Sequence, residues 1–158
     1  VFIEHRALYW TRGNVPDGDH LTPIGEAAVV RPGEQVTLVA LANMVGAALG
    51  AAGALAGDGI SVEVIDPRSI SPLDIGTIVQ SVKKTGRLVI VHEAVEQSGI
   101  GAEIAATVQQ HAFYYLDAPI LRVAAPFAPV PASPALEKGF LPDPARIVGA
   151  VRKLMVAA

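Results

Sequence analysis

The chain has 158 residues, of which 51% are hydrophobic and 17% charged, the size of one domain with ample material for one buried core. A formal net charge of -3 offers no basic face for nucleic acid, and the absence of cysteine removes disulfide staples, thiolate metal ligands and a cysteine nucleophile together. A reducing, cytoplasmic setting fits this composition.

Val1-Phe2-Ile3 reads as the inside of a strand, and the opening residues lack the cationic and apolar regions of a secretory leader. Thr11-Arg12-Gly13-Asn14-Val15-Pro16-Asp17-Gly18 is turn-rich and has no apolar period, so residues 1–22 are expected to be a linker or ordered arm ahead of a domain over 23–158. From there short β-branched runs alternate with longer helical ones, the pattern of a covered, mostly parallel sheet. Strands are predicted at Ala27 to Val30, Val36 to Ala40, Ser61 to Ile65, Leu88 to Val91 and Ile120 to Val123. Arg31-Pro32-Gly33-Glu34 suits a hairpin between the first two, which makes the first strand an antiparallel edge.

Helices are predicted at Asn43 to Ala56, Asp74 to Lys84, Gly101 to Phe113 and Asp143 to Val156. Asn43 can cap the first and Asp58-Gly59 end it; Ser71-Pro72-Leu73-Asp74 starts the second, and Lys83-Lys84-Thr85-Gly86 closes it with cations and then Gly. Val36 to Gly57 carries no charge and is long enough to span a bilayer. Its β-branched first half and Ala/Gly-rich second half favour a strand, a turn and a helix instead. Gly46, Gly50, Gly53 and Gly57 share one side of that helix and suit close packing on the sheet or a subunit contact.

His92-Glu93-Ala94-Val95-Glu96 ends a strand where ligands of open α/β sheets gather, but Glu96 stands where a zinc-protease motif needs its second His. Gly99-Ile100-Gly101 opens a helix and suits either a tight turn or an anion site, with Gly99 and Gly101 as the candidate residues; Ile104 breaks the dinucleotide fingerprint. Ser98 lacks the nucleophile elbow, and His5, His20 and His111 share no spacing that defines a relay. Pro126, Pro129, Pro131 and Pro134 stiffen an extended stretch, a connector toward the last helix or a partner-docking tract, ahead of Ser133-Pro134-Ala135-Leu136-Glu137-Lys138, where Pro after Ser suits a helix start.

Several ordered stretches resemble the β subunits of 2-oxo acid dehydrogenase decarboxylating components. They are Phe2-Ile3-Glu4-His5-Arg6-Ala7-Leu8-Tyr9, Pro23-Ile24-Gly25-Glu26-Ala27, Val64-Ile65-Asp66-Pro67-Arg68-Ser69-Ile70-Ser71-Pro72-Leu73-Asp74 and Val82-Lys83-Lys84-Thr85-Gly86-Arg87. His92-Glu93-Ala94, Gly101-Ala102-Glu103-Ile104, Leu116-Asp117-Ala118-Pro119, Pro126-Phe127-Ala128-Pro129-Val130-Pro131 and Phe140-Leu141-Pro142-Asp143 continue the match over nearly the whole chain.

The resemblance implies a transketolase-type C-terminal domain, a three-layer α/β/α fold with a mostly parallel five-stranded sheet, and makes residues 1–22 the exit from a pyrimidine-binding domain. It implies that the thiamine diphosphate ring and the proton-transfer His belong to that preceding domain, and the diphosphate and magnesium to the α subunit. No catalytic, cofactor or metal residue is carried over, and the isolated domain is expected to be inactive. Its implied partners are a second β subunit, the α subunit and the subunit-binding domain of a dihydrolipoyl acyltransferase. Glu137, Asp143 and the Ala158 carboxylate are the candidate acidic docking groups. Two other readings are the matching domain of a deoxyxylulose phosphate synthase or transketolase, and a free-standing anion-binding α/β module.

Overall fold

A computed structural model describes residues 1–156. Strands β1 (Ala28–Arg31), β2 (Val36–Ala40), β3 (Val62–Asp66), β4 (Leu88–Val95) and β5 (Leu121–Ala125) form one sheet in the order β1-β3-β2-β4-β5. β3, β2, β4 and β5 run parallel, and β1 lies antiparallel on β3 as an edge. Helices α1 (Met44–Gly57) and α5 (Pro144–Val156) cover one face; α2 (Ile75–Thr85) and α3 (Ile100–Ala112) cover the other. The short helix α4 (Pro134–Phe140) leads into α5. This is the expected three-layer α/β/α arrangement.

Alternation along β2 sets the layers. Val36, Leu38 and Ala40 join the core beneath α1 and α5, whereas Val39 joins Ile65, Ile78, Leu88 and Ile90 beneath α2 and α3. Burying each such aliphatic side chain contributes about 1.5–3 kcal/mol. The uncharged run from Val36 divides into β2 and α1 through a turn at Leu41-Ala42-Asn43, where Ala42 takes φ 51°. No helix among the described residues is long and apolar enough to cross a membrane.

The local signals at α2 act as the sequence suggests. Asp74 accepts from the Thr77 amide at 3.0 Å, Lys83 and Lys84 occupy the last turn, and Gly86 ends the helix at φ 69°. The Asp74 carboxylate also accepts from the Ala27 amide at 3.0 Å, tying the start of α2 to the approach to β1. Asp143 caps α5 through the Arg146 amide at 2.8 Å.

Four expectations are corrected, the first being the Asn43 cap: its side chain makes no cap bond to α1 and donates to Glu93 instead. β1 and β2 do not form a hairpin, because the turn between them crosses the amino end of β3 and puts them on opposite sides of it. The crossing is held by Gln35 N to Ser61 O at 2.9 Å and Ser61 N to Gln35 Oε1 at 2.7 Å. A Cβ on Gly33 would collide there with the backbone of Val62 and Glu63. The glycines of α1 do not pack on the sheet: Gly46, Gly50, Gly53 and Gly57 are exposed, and an added Cβ would meet nothing within 4 Å. Ala48, Ala51, Ala52 and Leu55 face inward in their place. Val1-Phe2-Ile3 forms no strand; it is exposed and leads into a 3-10 turn over Arg6–Trp10.

Candidate functional site

The order of the parallel strands fixes where a site can form. From β2 the chain passes through α1 to β3 on one side, and from β4 through α3 to β5 on the other, so connections diverge at the carboxyl ends of β2 and β4. Such a switch point leaves a crevice and is where open α/β sheets receive ligands. Asn43 stands on its β2 side and Glu93 on its β4 side.

Glu93 is placed there because β4 continues to Val95, four residues beyond the predicted end, through an irregularity in its pairing with β5. Side chains alternate along this extension: His92 turns under α3 and Glu93 toward Asn43. Asn43 Nδ2 donates to Glu93 Oε1 at 3.4 Å, and His5 Nε2 lies 2.5 Å from Glu93 Oε2. His5 thus enters the site from the arm, although nothing in its spacing linked it to residue 93. The other scattered histidines, His20 and His111, are exposed.

His92 is only 2% exposed, and neither ring nitrogen has a hydrogen-bond partner. Burial lowers its pKa, so the ring is neutral at neutral pH. Gly99 and Gly101 lie directly against it: a Cβ on either would collide with the imidazole. Gly99 is the N-cap of α3, Gly101 is buried in its first turn, and Glu103 puts a carboxylate in that turn. The contact with His92 by itself requires glycine at both positions, and Ser98 reaches the turn at φ 59°.

The turn at Gly99 and Gly101 does not fit the diphosphate of thiamine diphosphate. The glycine turn that would cradle a phosphate is filled on its inner side by His92. No group of three or more His, Asp or Glu able to share a metal ion occurs among the described residues. Glu96, the false second ligand of the zinc-like motif, pairs instead with Arg122 at 3.5 Å.

A second polar centre escaped the sequence reading. Glu63 on β3 is 5% exposed and lies 2.5 Å from Lys84 Nζ on α2. Beside them Thr37 Oγ1 bonds Ser81 Oγ at 2.6 Å and Thr85 Oγ1 at 2.7 Å. Burial pushes the Glu63 carboxyl up, but the bonds from Lys84, Ser81 and the Gly33 amide outweigh it and its pKa is lowered. One acid inside a strand buried on both faces is the signal that could have found this pair.

The candidate docking residues lie apart from the crevice. Glu137 is exposed in the first turn of α4, which begins at Pro134 after the proline tract, and Asp143 is exposed but committed to capping α5. Ala158 lies outside the described residues.

This doubly wound sheet, with its one antiparallel edge, is of the transketolase C-terminal type. Residues 25–147 match the family described as transketolase, C-terminal domain, and the chain belongs to that family. Its similarity to named proteins runs to β subunits of acetoin oxidoreductases and of pyruvate and 2-oxoisovalerate dehydrogenases. It is 46% identical to the β subunit of acetoin:2,6-dichlorophenolindophenol oxidoreductase from Cupriavidus necator, over 98% of this chain and 46% of that protein. It is also 46% identical to the β subunit of the pyruvate dehydrogenase E1 component from Rhizobium meliloti, over 96% of this chain and 33% of that protein. A solved split-gene transketolase, described as an inactive β4 tetramer, superposes with TM-score 0.76 and 28% identity, covering 92% of this chain and 47% of that one. The chain spans less than half the length of these relatives.

Proposed function

We propose that this chain is the assembly domain of the β subunit of a thiamine-diphosphate-dependent 2-oxo acid dehydrogenase in the cytoplasm, and that it is inactive by itself. Residues 1–22 are its link to a preceding pyrimidine-binding domain and residues 23–158 are the domain. The cofactor and magnesium belong to other parts of the enzyme, and the substrate is a small 2-oxo acid or acetoin. The domain pairs with a second β subunit, contacts the α subunit, and docks the subunit-binding domain of the dihydrolipoyl acyltransferase.

The observation that carries this reading is the outer face of α1. Four exposed glycines with Leu49 make a smooth, uncharged strip in a helix where each Gly costs about 1 kcal/mol against Ala. Nothing inside the chain offsets that cost, whereas a second helix brought close against the strip would. The relatives are named as subunits, and the split-gene transketolase is described as a tetramer of β chains.

Sedimentation equilibrium of the chain and of Gly53→Leu tests the pairing. The expected result is a dimer that the leucine disrupts. A chain that stays monomeric at tens of micromolar, equivalent to less than ~6 kcal/mol of association, overturns it. Acyltransferase docking is expected to weaken with salt and with Glu137→Lys, since exposed charges would steer it.

A further inference from the structure

We propose that the chain's own arm is fastened at the switch point, with His5 acting as a latch on Glu93 that fixes where the preceding polypeptide enters the domain. The switch point between β2 and β4 is the place this architecture offers to a ligand, and there Asn43 donates to the carboxylate of Glu93. The third member comes from 88 residues earlier in the chain.

The chemistry of the ring makes the contact directional. His5 Nδ1 accepts from the Ala7 amide at 3.3 Å and so caps the 3-10 turn over Arg6–Trp10. With Nδ1 an acceptor, the ring proton sits on Nε2 and is donated to Glu93 Oε2. One imidazole therefore shapes the arm with one nitrogen and fastens it with the other.

No other hydrogen bond or ion pair joins residues 1–24 to the rest of the chain among the described residues. Around the latch the arm is exposed: Phe2, Ile3 and Trp10 are each more than four-fifths accessible, while the His5 side chain is 29% and Glu93 22%. The arm is held at one point, and releasing that point frees it. The latch does not rest on the assembly reading, because a monomeric chain would still carry it; the polypeptide that precedes the arm does rest on the proposed function.

Trypsin cleavage after the exposed Arg6 and Arg12, followed by mass spectrometry on the 158-residue chain, tests it. Loss of one charge-assisted bond predicts cleavage about tenfold faster in His5→Ala and in Glu93→Ala. His5→Gln keeps a donor that reaches Glu93 and should stay within about twofold of the parent, whereas His5→Asn keeps only the cap and should behave like alanine. His5 lies outside the core, so its variants read the latch without threatening the fold. Unchanged cleavage in His5→Ala, or equal effects of Asn and Gln, overturns the proposal.

Discussion

Helices α1 and α3 sit on opposite faces of the same sheet, and the four glycines of α1 and the single glycine of α3 answer to opposite demands. In α3 the Cβ position of Gly101 is taken by the imidazole of His92, so the residue is fixed by what lies inside the chain. In α1 the Cβ positions of Gly46, Gly50 and Gly53 open onto empty space, so no contact among the described residues fixes them as glycine. The presence of glycine in a helix therefore does not by itself indicate a close internal contact. The environments follow the same division. Beneath α1 and α5 the core is wholly aliphatic, whereas beneath α2 and α3 it includes His92, the Glu63–Lys84 pair and three hydroxyls.

The sharpest way to break this contrast is Gly101→Val, expected to cost about 3 kcal/mol in urea denaturation because a buried ring must give way. Adding His92→Ala should recover part of the loss, and two independent, additive costs would refute the steric account. Lys84→Met should cost about 2 kcal/mol, below the value for a fully buried pair because Lys84 reaches solvent. It should also invert a pH dependence. In the parent the Glu63 pKa is lowered, so its stabilisation is present above the ordinary carboxylate range and lost as pH falls through the folded value. Without Lys84 burial dominates, the folded value rises, and stability is lost as pH rises through it. Thermal melts between acidic and neutral pH would show the two opposite slopes.

Asp74→Ala should cost about 1 kcal/mol through loss of the α2 cap, measured by the same denaturation. The Asp74 pKa is lowered by its bonds from Thr77 and Ala27, so the parent loses this contribution as pH falls through that value while the variant does not. The smallest effect has the other sign. Gly50→Ala adds a methyl to open space and should stabilise the monomer by roughly 0.5–1 kcal/mol. If the bare face of α1 serves pairing, the same variant weakens self-association in sedimentation; a gain in both quantities would detach the glycines from assembly.

Much of the fold was legible because its signals are local. Caps, terminal glycines and runs of β-branched residues placed four helices and five strands near their observed bounds, and the split of Val36 to Gly57 followed from the two kinds of residue in it. Strand order was not local. Arg31-Pro32-Gly33-Glu34 has the composition of a hairpin turn, and only the collision of a Gly33 Cβ with β3 reveals that the turn crosses another strand. The helix α4 is signalled in the sequence only at its start, by Pro134 after Ser133, because its seven residues are too short for a clear apolar period. At the site, His92 and Glu93 were noticed together as one motif, yet strand alternation sends them to opposite faces. The partners that matter, Gly101 for His92 and His5 for Glu93, are joined to them by tertiary structure alone.

The shape of β1 has a consequence for how this sheet meets other chains. An open sheet edge displays unpaired amides and carbonyls that a foreign strand can extend, the usual first step of domain swapping and fibril growth. Here that edge is four residues long, its register with β3 slips between Val29 and Arg31, and Pro32, which has no amide hydrogen to offer, follows at once. Val29 and Val30 are exposed on it, the kind of apolar pair that invites strand addition. Brevity and irregularity counter that invitation: an incoming strand finds too few evenly spaced partners to build a ladder, and the sheet ends where β1 ends.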